Sequence, residues 1–140
     1  MSTKKIKRIA VMTGGGDCPG LNAVIRAVTK TAISKYKLEV IGIEDGYLGI
    51  IEDRKRVLEY TDVSNILTIG GTILGSCNRS NPSKYPYKTS TGKIRYRDIS
   101  GKCIKTLQGW GVDALICIGG DGTMASPPMQ INASTQDYRQ

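Results

Sequence analysis

The sequence predicts an α/β fold, a doubly wound parallel sheet with helices on both faces. Short apolar, β-branched runs of strand length alternate with segments whose apolar residues recur at helical spacing. Three glycine-rich turns, at residues 14–20, 70–75 and 119–123, punctuate the chain. The length of 140 residues suits one domain, since domains commonly hold roughly 100 to 200 residues. Ligands of such folds bind beyond the carboxyl ends of the strands, so the glycine turns point to one shared site.

The first strand is read over residues 6–13, apolar enough to be central, and Gly14-Gly15-Gly16 cuts it. Asp17 is expected to cap the next helix, with Pro19 in its first turn and Leu21, Val24, Ile25, Val28, Ala32 and Ile33 recurring along it. Residues 38–43 read as a second strand and 44–49 as a loop. An extended segment is expected over 54–60, followed by a short helix through Leu67 capped by Thr61 or Asp62. After the turn at 70–75, residues 77–91 read as an exposed loop. A helix over 98–108 would place Ile99, Cys103, Ile104 and Leu107 on one side, with Gly109 and Gly111 stopping it. The last strand, 113–118, runs into Gly119-Gly-Asp-Gly-Thr123.

With 39% hydrophobic and 23% charged residues the composition is globular, which excludes disorder, collagen and coiled coil. No window approaches the roughly 18 apolar residues of a membrane span, and no secretory signal is read, so a cytoplasmic location without membrane partners is expected. The absence of histidine removes Ser-His and Cys-His nucleophile pairs and His-ligated metals from this chain. Cys18, Cys77, Cys103 and Cys117 lack C-x-x-C spacing and read as reduced structural thiols. The net charge of +8 concentrates between Arg79 and Lys105, where eight basic side chains face the single acid Asp98. No nucleic-acid module is recognisable there, and the reading is a solvated basic face that attracts small phosphorylated ligands rather than nucleic acid.

The turn at 14–20 precedes a helix, where backbone N–H groups favour phosphate, but Pro19 breaks the dinucleotide fingerprint and no Gly-Lys-Ser/Thr follows. Taken alone it reads equally as a strained turn or a phosphate site. Gly119-Gly-Asp-Gly-Thr123 sets one carboxylate between glycines at a strand tip, where N–H groups can hold phosphates while Asp121 reaches Mg²⁺. Two such turns in one sheet favour phosphate binding over ordinary turn chemistry.

Lys7-Arg-Ile-Ala-Val-Met-Thr-Gly-Gly-Gly-Asp-Cys-Pro-Gly-Leu-Asn-Ala-Val-Ile-Arg26, Gly46-Tyr-Leu-Gly49, Gly70-Gly-Thr-Ile-Leu-Gly-Ser76 and Ile118-Gly-Gly-Asp-Gly-Thr123, in that order, resemble the amino-terminal part of the 6-phosphofructokinase family, over roughly residues 4–125. The resemblance implies a phosphofructokinase-like, Rossmann-type domain and phosphoryl transfer from ATP to the 1-hydroxyl of fructose 6-phosphate, with Mg²⁺ on the nucleotide phosphates. It implies nucleotide contacts at Gly16, Tyr47, Arg79, Ser80, Gly120, Asp121, Gly122 and Thr123, with Asp121 as the metal carboxylate. Arg79, matched to within one position, would stabilise charge on the transferring phosphate, and the Asp121-Gly122 pair resembles the ATP users of the family rather than the pyrophosphate users. It also implies a homo-oligomer for the complete enzyme.

The family's general-base aspartate lies on a Thr-Ile-Asp-Asn-Asp-like turn that this sequence does not contain, so no catalytic residue is assigned. The chain is divided into an incomplete nucleotide-binding domain, 1–125, and an atypical polar tail, 126–140, whose Pro127 and Pro128 would end the expected helix. The chain alone is expected to be inactive. Alternative functions are a non-catalytic nucleotide- or nucleic-acid-binding module, or a kinase of NAD or lipid sharing only the Gly-Gly-Asp-Gly-Thr turn.

Overall fold

The computed structural model describes residues 5–15 and 19–124. Strands β1 (Arg8–Thr13), β2 (Glu39–Ile43), β3 (Lys55–Leu58) and β6 (Ala114–Ile118) form one sheet of order β3-β2-β1-β6. The first strand is central, as its apolar sequence requires. β2 and β6 lie parallel to β1, with Ile9 opposite both Val40 and Ala114.

Alternation along β1 divides the core. Ile9 and Val11 face Ile25 and Ala32 of helix α1 (Leu21–Ser34), together with Leu58, Val63, Ile66 and Leu74. Ala10 and Met12 face the opposite side, against Ile50 and Ile51 of α2 (Tyr47–Glu52) and Cys103 and Leu107 of α3 (Ser100–Gly109). Successive strand residues point to opposite faces, so one strand serves both layers. The sheet is thus doubly wound.

Several local expectations are corrected. The sheet is mixed rather than wholly parallel, because β3 pairs antiparallel with β2. Only residues 44–54 separate the two strands, too few for a crossover of a dozen or more residues. The expected loop at 44–49 gives way to α2, whose Tyr47, Ile50 and Ile51 are buried, so burial outweighs the weak helix propensity of Gly49. Gly20, at φ +95°, takes the N-cap position of α1, which puts Pro19 outside the helix; Asp17 lies outside the described residues.

No helix forms over 61–67. The Asp62 carboxylate accepts the Glu59 N–H at 2.7 Å, behind it in the chain, and Asn65 enters the left-handed region at φ +60°. The expected loop at 77–91 contains a short 3₁₀ turn (Pro82–Lys84) and β4 (Tyr85–Lys88), which pairs with β5 (Ile94–Arg97) as an antiparallel hairpin. Alternating Tyr-Pro-Tyr-Lys and Ile-Arg-Tyr-Arg around Gly92, at φ +77°, is the local cause. Asp98, taken as the start of α3, instead receives the Ser100 N–H at 2.8 Å from just outside the helix. Its bonds from Ser100 hold the Asp98 carboxyl below the usual range. The expected boundary at 125/126 and the tail fall outside the described residues.

Two tests follow from the α3 face. Leu107 is fully buried, and Leu107→Ala is expected to cost about 2–5 kcal/mol in urea unfolding. Burial pushes the Cys103 thiol up to about 11 from an ordinary 9.0. The unfolded state therefore loses this proton first, and the stabilising contribution is complete below pH 9.0 and lost as pH rises through about 11. Urea titrations under reducing conditions across that window should show a loss that Cys103→Ala reduces; an unchanged slope in the variant would exclude the thiol as its source.

Candidate functional site

The turns after β1 and β6 interlock through one side chain. Gly14 N–H donates to Ile118 O at 2.8 Å, and Thr123, buried at 6% exposure, sits between the two turns. A Cβ on Gly14 would fall 2.1 Å from Thr123 Oγ1, and one on Gly119 would fall 2.2 Å from the same atom. Only glycine fits at either position.

Two further loops are tied to this pair. Thr13 Oγ1 donates to Gly75 O at 2.6 Å and lies 2.9 Å from Thr72 Oγ1, which must then be the donor in their contact. Asn22, buried on α1, donates through Nδ2 to Ile69 O and accepts the Ile73 N–H at Oδ1, both at 2.8 Å, and so spans the Gly70-Gly71 turn. Asp45 N–H donates to Leu74 O at 2.8 Å, while Arg54 donates to the Asp45 carboxylate at 2.7 Å. Gly46, at φ +61°, passes so near β1 that a Cβ there would lie 2.8 Å from Thr13 O. The third glycine turn therefore joins the carboxyl end of the parallel strands through side-chain bonds, although the strand before it, β3, runs the other way.

These loops surround a cavity of about 230 Å³. One part of its wall is backbone-rich: Gly14, Gly15, Gly120, Gly122 and Thr123. The other part presents Tyr47, Cys77, Asn78, Ser80 and Asn81. Among the described residues no charged side chain lines it. Ser80 is buried and its Oγ lies 3.4 Å from Cys77 Sγ. Cys117 on β6 meets Tyr47 through a side-chain hydrogen bond, while burial, the larger influence, raises its thiol pKa.

Of the residues singled out in the sequence, Tyr47, Ser80, Gly120, Gly122 and Thr123 come together at this cavity. Arg79 and Asp121 are exposed and do not line it; Asp121 opens the short helix α4 (Asp121–Met124), and Gly16 lies outside the described residues. Gly14, Gly15, Cys77, Asn78 and Asn81 were not singled out. The two glycines belong to a run already marked as a turn, and Asn81-Pro82 carries a turn signal that the loop reading passed over. Among the described residues no group of three or more His, Cys, Asp or Glu side chains could hold a metal ion, so a metal here would depend on ligand oxygens beside Asp121.

Two other surfaces lack this convergence. A groove of about 760 Å³ between α1 and β6, lined by residues such as Ile9, Val28, Ala32 and Ile116, is apolar. The basic segment runs from before the 3₁₀ turn through the β4–β5 hairpin into α3; in it Arg97 lies 5.2 Å from the Tyr87 ring and Lys84 5.4 Å from that of Tyr96. No helix among the described residues is long and apolar enough to cross a membrane.

Fold and cavity together define a doubly wound α/β protein with a glycine-walled cavity at its strand ends. The family profile described as Phosphofructokinase matches residues 8–129, and the chain belongs to that family. It is 54% identical over 121 residues to ATP-dependent 6-phosphofructokinase 2 of Clostridium perfringens, covering 86% of this chain and 33% of that one. Against ATP-dependent 6-phosphofructokinase 2 of Streptomyces coelicolor the identity is 45% over 126 residues, covering 90% and 33%. The chain thus spans about a third of the length of these relatives. The crystal structure of Pichia pastoris phosphofructokinase in the T-state is similar with a TM-score of 0.71 at 32% identity, over 89% of this chain and 12% of that one.

The Thr123 wedge is testable by coupling. Gly14→Ala should cost about 1–3 kcal/mol through overpacking, and clearly less in a Thr123→Ala background, where the obstructing Oγ1 and Cγ2 are gone. Strictly additive unfolding energies would show that the two residues do not compete for space.

Proposed function

We propose that this chain is the nucleotide-binding portion of an ATP-dependent 6-phosphofructokinase, the complete enzyme transferring the terminal phosphoryl group of ATP to the 1-hydroxyl of fructose 6-phosphate in the cytoplasm, as a homo-oligomer. The observation that carries the reading is the cavity at which turns from β1 and β6 meet around Thr123, with glycine backbone on one part of its wall. Family membership and the names of the relatives supply the reaction.

Phosphoryl transfer asks little covalent chemistry of a protein and much positioning. In this reading Gly15, Gly16, Gly120 and Gly122 bring main-chain N–H groups to the phosphates without side chains in the way, while Gly14, whose N–H is bonded to Ile118 O, and Thr123 hold the two turns together. Tyr47 and Ser80 shape the nucleotide's surroundings. Arg79, exposed in the segment between Cys77 and Asn81, is the cation assigned to phosphate charge. The exposed carboxylate of Asp121, next to a glycine turn, fits Mg²⁺, which commonly takes one or two carboxylates plus phosphate oxygens. Asp121 would hold the ion, whose contribution when bound is neutralisation of phosphate charge. No residue of the chain is assigned as general base, so binding without turnover is expected.

Calorimetry on the 140-residue chain should detect Mg-ATP. Asp121→Asn is expected to weaken that binding roughly ten-fold in Mg²⁺ and to leave the metal-free binding in EDTA unchanged. Equal affinities in Mg²⁺ would remove Asp121 from the metal site. A coupled assay with fructose 6-phosphate should show no turnover above the blank, and activity scaling with protein concentration would mean that a catalytic base is present.

A further inference from the structure

Asn81 is the residue of the cavity wall whose hydrogen-bonding capacity is divided between the fold and the cavity. Its backbone is extended, at φ −71° and ψ 118°, and it caps the 3₁₀ turn Pro82–Lys84. Oδ1 accepts the Ser83 N–H at 3.0 Å and the Ser83 hydroxyl at 2.7 Å. A backbone N–H can only donate, so the atom facing it must be the amide oxygen, and the orientation of the amide is thereby set. Both acceptor sites of Oδ1 are used. Nδ2, with its two donor hydrogens, meets no acceptor among the described residues.

The donor is held in place by its neighbours. Pro82 is buried, and its carbonyl accepts the Ile99 N–H at 2.8 Å, which ties the turn to the start of α3. Tyr85, next after the turn, packs against the core cluster that contains Tyr47. Asn81 is itself half-buried and lines the cavity. Little side-chain freedom remains to be lost when Nδ2 finds a partner, which favours a selective contact.

The chemistry of the wall indicates which part of a ligand Nδ2 meets. The glycine turns supply backbone N–H groups, the usual partners of phosphate. The stretch from Cys77 to Asn81 adds a thiol, a hydroxyl and two amides to the lining, and no cation. A neutral donor on a fixed planar amide suits a neutral acceptor with an in-plane lone pair, as on the ring nitrogens and carbonyls of a nucleobase. Tyr47, whose side chain is engaged by Cys117, adds an aromatic residue to the same cavity, and bases stack on aromatic faces.

We infer that Asn81 is a base-selecting residue: with its oxygen committed to Ser83, its amide nitrogen donates to an acceptor on the base of the nucleotide whose phosphates the glycine turns hold. The inference rests on the nucleotide-binding reading above and extends it to a residue that the turn motifs do not include. It makes the affinity for ATP exceed that for the bare phosphate chain by a margin that resides largely in one side chain.

Two variants separate this role from the cap. Asn81→Asp keeps an oxygen for both Ser83 bonds but replaces the donor by a second acceptor. Asn81→Ser also retains a capping oxygen, loses the amide and adds no charge. Each is compared with the wild-type chain by calorimetry in Mg²⁺, with ATP and with inorganic tripolyphosphate, and by thermal unfolding. The wild type should bind ATP about ten-fold more tightly than tripolyphosphate. Asn81→Ser should bring ATP down to the tripolyphosphate level while leaving tripolyphosphate itself within about two-fold, and Asn81→Asp should lose at least as much ATP affinity at an unchanged midpoint.

Variants that keep the wild-type ratio of the two affinities would overturn the inference, as would a wild type that does not distinguish ATP from tripolyphosphate, although the phosphate site would then stand. Binding of neither probe to the wild type would overturn the nucleotide reading and this inference together. Should Asn81→Ser fail to unfold cooperatively, Asn81→Asp decides by the same ratio.

Discussion

Thr123 lies where the turns after β1 and β6 meet, and the site depends on it. Its hydroxyl and methyl group fill the space between Gly14 and Gly119, closer to both than any side chain on those residues would allow. Its backbone N–H returns to Gly120 O at 3.0 Å, and the Gly14 N–H reaches Ile118 O at 2.8 Å. Two strands that are neighbours in the sheet but separated by most of the sequence thereby present their turns as one surface. Interiors are packed so closely that even a methyl group in such a place is felt.

Around this wedge the loops are held largely by polar side chains. Asn22 satisfies a carbonyl and an N–H on either side of the Gly70-Gly71 turn, and Thr13 reaches Gly75 O. Buried polar groups are costly when unpaired and modestly favourable when paired, so each of these contacts secures a loop geometry more than it adds stability. Arg54 stands further out, with Asp45 at 2.7 Å and Glu52 at 2.9 Å, and its exposure to solvent keeps those ion pairs weak. Among the described residues the cavity wall carries no charged side chain, although the chain has a net charge of +8. Four of the eight cations of the basic segment, Lys88, Lys93, Arg95 and Arg97, lie on a hairpin whose β5 residues are all exposed.

The two edges of the sheet differ for a physical reason. β3 pairs antiparallel with β2 and alternates little, with only Leu58 buried. β6 is apolar throughout, as strands covered on both faces of a parallel sheet are, yet all five of its residues remain half-exposed at the edge. The apolar groove beside it belongs to the same incompletely covered face.

Much of the fold was legible in the sequence, because β1, β2, β6, α1 and α3 each announce themselves through a local pattern. Buried apolar runs mark the strands, and helical spacing of residues such as Leu21, Ile25 and Ala32, or Cys103 and Leu107, marks the helices. The glycine motifs were equally legible, and with them the family. What the sequence could not show was set by contacts distant in the chain. The hand of β3 followed from a connection too short to cross the sheet, and α2 formed because its apolar residues had a core to enter. The β4–β5 hairpin differs: its alternation was local but interrupted by Pro86 and by charges that read as loop. The site divides in the same way. Glycine at 14 and 119 was visible, but the need for it came only when folding brought Thr123 between them. Asn81 passed as a turn residue, since its free donor is defined by Ser83 taking the oxygen and by a cavity wall that exists only once four separate loops have met.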